Sequence, residues 1–214
     1  MKKIFTALLL AASGGAVYSA QPSEAEIHAA TMLNGAIYVL PHRESADGVL
    51  GACGLEFLTI TKDFSTKQGG MVKMVGSYYL RKGRNDAVGY SLKLGVLDGQ
   101  DPEATAPANA FVGSVKGLIP KKGVRALAEN PGFALFVGRV DSDVVAVLKS
   151  ITEDKKMTVG FNRRPGGQDV TSIVNLTVVD TKIEGGNVSR TYSDQMLKEF
   201  MQCGNDLLRD VTAK

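Results

Sequence analysis

Cys53 and Cys203 are the only cysteines in the 214 residues. A pair of thiols could form one disulfide, stay as two buried small hydrophobes, or join His28 and His42 around zinc. Zinc needs close CxxC or HxxxH spacing, which the chain lacks, so no metal site is expected. The expectation is a Cys53–Cys203 bridge closing a loop of about 150 residues, for which chain entropy sets an upper figure of about 5 kcal/mol. Cys53 alternates with Leu55 and Phe57, and Cys203 flanks the stripe of Phe200 and Leu207. Both sulfurs should therefore point inward, tying a C-terminal helix to the first strand.

Other chemistry is thinner. His28 and His42 sit in no HExxH motif and near no obvious nucleophile. No GxSxG, GxGxxG or GxxxxGK[ST] occurs. Ser114, in Val112-Gly113-Ser114-Val115, lacks the second glycine of a nucleophile elbow and reads as a strand residue. Asp141 and Asp143 bracket a helix start, where capping explains them. Asp98 and Asp101 are too few acids for calcium, and Pro102 follows them directly. No cofactor is expected. A carboxylate pair for polymer hydrolysis cannot be selected among 22 acids without a fold.

Two basic turns are the candidate binding residues: Arg81, Lys82 and Arg84 in the first, Arg163 and Arg164 in the second. At the same end of a sheet they would form an anion-binding rim for a phosphate, a lipid headgroup or an acidic protein. Otherwise they are solvated turn residues with edge-protecting charge. Lys121, Lys122 and Arg125 form a third, equally unspecific group, and Tyr78 and Tyr79 stand beside Arg81. Residues 81–98 also align without a gap to residues 163–180, with Arg81, Val88, Leu94, Val96 and Asp98 matched. This hints at an internal duplication or at two convergent hairpins.

The N-terminus supplies an address. Lys2 and Lys3 precede a short apolar run over residues 4–12, and small residues lead to Val17-Tyr18-Ser19-Ala20. Residues 1–20 read as a secretory signal peptide, too short to span a bilayer as a mature helix. The short signal looks bacterial, so the expected compartment is periplasmic or extracellular. Removing Lys2 and Lys3 leaves 23 cationic and 22 acidic residues, a net of +1 from the whole chain's +3. A near-neutral surface does not suit nucleic-acid binding, which needs a concentrated basic field.

The elements follow from periodicity. Ser23-Glu24-Ala25-Glu26 is a capping box, and Ile27, Ala30, Leu33 and Ile37 recur at helical spacing until Pro41. A helix is predicted over 24–39. Residues 53–60, 72–80 and 88–96 alternate as strands, with Arg81 to Asp86 as a hairpin loop. In the third strand, Gly89, Ser91, Lys93 and Gly95 should face water. Residues 99–110 lack a period and form the best candidate boundary between two similar halves of one domain over 21–214.

Further strands are predicted over 111–116 and 133–140, with room for two helical turns between Pro120 and Pro131. Residues 142–152 suit a helix capped by Ser142, although their valines would also suit a strand. Strands over 157–162 and 170–179 flank a turn at 163–167. Ser193 caps a final helix striped by Leu197, Phe200, Gly204, Leu207 and Val211. Gly204 suggests close approach of another backbone or a tolerated weak spot.

These patterns predict an α+β fold: an antiparallel sheet or sandwich with an N-terminal helix and a disulfide-anchored C-terminal helix. The expected function is an exported, non-catalytic binding or accessory protein with a protein partner. An envelope-polymer hydrolase with unnamed carboxylates, or an anionic-lipid binder using the basic loops, are the alternatives.

Overall fold

The computed structural model describes residues 33–65, 70–83, 87–99, 103–184 and 187–212, with backbone alone for 210–212. Strand β1 (Gly35–Ala46) turns into β2 (Val49–Asp63), followed by β3 (Gly70–Lys82) and β4 (Val88–Asp98). Then come β5 (Asn109–Gly113), β6 (Val124–Ala126), β7 (Phe133–Arg139) and helix α1 (Ser142–Asp154). The chain closes with β8 (Lys156–Asn162), β9 (Val170–Asn175), β10 (Val178–Glu184), β11 (Asn187–Tyr192) and helix α2 (Gln195–Thr212).

Among the described residues all strand pairings are antiparallel. A six-stranded sheet runs β1-β2-β3-β4-β7-β6, a three-stranded sheet runs β5-β8-β9, and β10 pairs with β11. The inner face of the large sheet carries Leu55, Phe57, Met74, Leu92, Leu94 and Phe136, all buried. Over one half of that face lie β8 and β9, bringing Met157, Val159, Phe161 and Val174 into the core. Thr59 and Ser172 meet there through a buried hydroxyl–hydroxyl bond of 2.8 Å. Helix α2 covers the other half beside β1, β2 and β3. The apolar core draws on the chain both before and after residues 99–110.

The alternation over 53–60, 72–80 and 88–96 holds as read, because a half-buried strand writes its period directly into the sequence. The predicted helix over 24–39 is corrected where it can be seen. Residues 35–39 open β1, with Ala36 and Val39 buried against β2, while 24–32 lie outside the described residues. Ile37, Tyr38 and Val39 favour a pleated strand, and Pro41 is accommodated because β1 is the sheet's edge. Asp47 (φ 52°) and Gly48 (φ 76°) make the two-residue turn that closes β1 onto β2. Both central residues with positive φ match the right-handed strand twist.

Of three smaller corrections, two come from tertiary contact and one from a local turn. The third strand's other face is not uniformly wet: Ser91 is buried and accepts a bond from Arg81 Nε (3.0 Å), and Phe133 lies over Gly95. The interval between Pro120 and Pro131 holds the short strand β6 rather than helical turns, because it pairs with β7. Residues 170–179 are two strands, because Asn175 Oδ1 accepts both the amide and the hydroxyl of Thr177 and turns the chain. Residues 88–98, their counterpart in the faint repeat, form one unbroken strand.

The helices predicted over 142–152 and after Ser193 do form. Asp141, not Ser142, caps α1, its carboxylate accepting from the Val144 amide at 3.0 Å. Ser193 Oγ accepts from the Gln195 amide at the start of α2. Cys203 is bonded to Cys53 with their Cα atoms 5.6 Å apart, anchoring α2 to the sheet. The anchored strand is second in the chain rather than first, since β1 precedes it.

Candidate functional site

Helices α1 and α2 each bury one row of side chains and leave a second row toward the space between them. On α1 the buried row is Val144, Val147 and Ile151; on α2 it is Leu197, Phe200, Cys203 and Leu207. The second rows, Val145 and Leu148 against Met201, Gly204 and Leu208, line a groove floored by Leu80, Val88 and Val140. Its volume is about 420 Å³. The disulfide, on the buried row of α2, ties that helix to β2. Gly204 meets the Leu80 side chain, 3.5 Å from where a Cβ would stand, so it marks no close backbone approach.

The groove continues into a second cleft of about 630 Å³ that shares Thr152, Met201 and Asn205 with it. Charge of both signs rims the combined surface. Lys149 and Glu153 stand on α1, and Lys155 bonds Asp194 at 2.6 Å across the ends of the two helices. That bond holds the Asp194 carboxyl below its ordinary range. Arg209 pairs with Asp206 one turn apart on α2. The arrangement offers an apolar floor and polar edges, and the Thr152 hydroxyl that lines both clefts donates to the Leu148 carbonyl at 2.8 Å.

The predicted basic rim does not assemble. Arg81 lies at one end of β3, and Arg163 docks at the other end, beside Gly70 and Asp98. Thirteen residues of β3 separate those ends, roughly 40 Å of extended chain. Each guanidinium is held locally. Arg81 makes a two-pronged bond to Glu44 (2.9 and 3.1 Å) and stacks 4.7 Å from the Tyr79 ring centroid. Lys82 ends β3, Arg164 is exposed in the turn, and Arg84 lies outside the described residues.

Around Tyr79 the outer face of the sheet gathers its polar groups. The Tyr79 hydroxyl donates to Glu56 (3.2 Å), His42 meets the ring edge-on, and His42 Nδ1 is 3.6 Å from Glu56. Burial, together with Glu56 and Glu44, pushes the Tyr79 hydroxyl well above its ordinary pKa. The group is an open surface network of satisfied bonds, and His28 lies outside the described residues.

Arg163 is bound by Asp63 (2.9 Å) and by both oxygens of Asp98, clamping the β8–β9 turn to the ends of β2 and β4. Burial raises the Asp63 carboxyl, but bonding from Ser65 and Arg163 outweighs it and holds the carboxyl below its ordinary range. Asp154 is likewise lowered, chiefly by its bond to Lys116. The carboxyls with clear displacements, Asp63, Asp154 and Asp194, all move away from what a general acid needs. Ser114 serves a turn, its hydroxyl accepting from the amides of Lys116 and Leu118. Among the described residues no three His, Cys, Asp or Glu cluster as metal ligands.

The groove as a whole has no local sequence signature, because its lining comes from three segments, near 80–88, 140–153 and 200–208, that meet only in the fold. A signal did exist in the second apolar rows, Val145 with Leu148 and Met201 with Leu208, which exceed what one buried stripe requires. Comparison with protein-family models, curated proteins and solved structures found no match.

Proposed function

We propose that this chain is an exported, non-catalytic binding protein whose partner is another protein, seated in the groove between α1 and α2. The groove carries the reading. It is open and apolar at its floor, and it shares Thr152, Met201 and Asn205 with the neighbouring cleft, so together they offer a chain segment more surface than a compact ligand would use. Val145 and Leu208 stay exposed at its edges, where a partner would remove apolar surface from water.

Export is supported by the N-terminal pattern and by the disulfide, which suits an oxidising compartment. Among the described residues no helix is long and apolar enough to cross a membrane. A periplasmic or extracellular setting follows as part of the proposal.

The test places a photo-crosslinking amino acid at Val145 in the groove and, separately, at the exposed Val49 on β2 in the producing cell. The expected result is one protein adduct from position 145 that position 49 does not give and that Leu208→Lys abolishes. No adduct from position 145, or equal adducts from both positions, overturns the reading.

A further inference from the structure

We propose that residues 116–127 form a membrane-surface contact that recognises an anionic bilayer. The segment runs from the end of β5 through the edge strand β6, and shares no lining residue with the α1–α2 groove. It holds four cations, Lys116, Lys121, Lys122 and Arg125, and no acid. It also presents large apolar side chains to solvent: Leu127 is 97% exposed, Val124 74%, and Leu118 and Ile119 about half. Apolar side chains left in water beside cations are the composition of an interfacial anchor. The apolar groups enter the headgroup region while the cations stay among lipid phosphates.

Ion pairing distinguishes Lys121 and Arg125 from the arginines that head the other two basic turns. Arg81 and Arg163 are occupied by Glu44 and by Asp63 with Asp98. Lys116 and Lys122 contact Asp154 and Asp169, but Lys121 and Arg125 have no carboxylate within 4.0 Å among the described residues. Their charge is available to an external anion. The backbone beneath is tied down: the Tyr90 hydroxyl donates to the Lys121 carbonyl (3.0 Å), and Leu118 is bonded through both its amide and its carbonyl to Ser114. A held segment loses less conformational freedom on adsorption.

A protein strand adding to β6 is the weaker occupant. Strand β6 has three residues and is preceded by Pro120 and Gly123, so it offers little ladder to extend.

The test is co-sedimentation of the purified exported protein with phosphatidylcholine vesicles, with and without phosphatidylglycerol, at low and high salt. Wild type is compared with Lys121→Glu/Arg125→Glu and with Val124→Ser/Leu127→Ser, so any contribution of the N-terminal residues is common to all. All substituted side chains are solvent-facing or partly so, and unchanged circular dichroism and melting temperature confirm intact folds. The expected result is salt-sensitive binding to the anionic vesicles, weakened about tenfold or more by each double substitution. Absence of binding, equal binding by the variants, or equal binding to both vesicle types overturns the proposal. So does loss of a protein adduct in these variants when vesicles leave wild type in solution. Because the groove supplies no residue here, either proposal can fail while the other stands.

Discussion

The ring of Tyr79 lies across Gly54, its directly paired neighbour on β2, so closely that a Cβ on Gly54 would stand 2.3 Å from the ring. Three other directly paired neighbours repeat the relationship: Phe111 over Gly160, Tyr90 over Gly138 and Phe133 over Gly95. In each, the aromatic ring fills the space that the glycine leaves and shields its backbone. The abundance of glycine within these strands therefore has a packing cause. Tyr79 is held further by Glu56, His42 and Arg81.

Gly54→Ala is accordingly expected to destabilise the protein by about 1–3 kcal/mol, because the ring must leave its place and the strand cannot yield. Urea denaturation should show a lower midpoint at unchanged slope. A midpoint equal to wild type would mean that the Tyr79 ring moves aside freely.

Gly204→Ala is expected to act in the opposite direction. The position is inside α2, its φ is not positive, and an added methyl meets Leu80 at an ordinary 3.5 Å. Alanine should add about 0.5–1 kcal/mol through the lower backbone entropy of the unfolded chain. A loss of stability in thermal or urea melts would show that the apparent space beside Leu80 is absent.

Cys203→Ala, with Cys53→Ala to avoid a free thiol, is expected to lower stability by about 2–5 kcal/mol. Amide exchange should quicken first in α2, whose remaining hold on the sheet is the packing of Leu197, Phe200 and Leu207. Uniform exchange across β2 and α2 would place the bridge's effect on the whole molecule instead.

Arg163→Met should be destabilising by about 2–3 kcal/mol near neutral pH, less than the ~3–5 of a fully buried pair because Arg163 is 29% exposed. The pH dependence has a definite sign. Asp63 has a folded pKa below its ordinary 3.8, so the stability it confers is present above that value and lost as pH falls through the folded one. The gap between wild type and Arg163→Met should therefore be widest above about pH 4 and shrink in acid. Melting temperatures measured from pH 2.5 to 6 check this, and a gap independent of pH would assign the loss to packing alone.

What the chain determined by itself was local and periodic. The alternation of Cys53, Leu55 and Phe57, of Val72 and Met74, and of Leu92, Leu94 and Val96 specified three strands, since the inner face of a sheet returns every second residue. Composition specified the disulfide, because only two cysteines exist to pair. Asp47-Gly48 also carries a local turn signal, but it went unread because the spacing of Ile27, Ala30, Leu33 and Ile37 drew the preceding segment toward a helix. Only tertiary structure decided that residues 35–39 pair as an edge strand, that Arg81 and Arg163 stand at opposite ends of β3, and that Val145 faces Met201 across a groove. Local period says which face of an element is apolar. It does not say which distant face will cover it, because that depends on packing between segments that share no local signal.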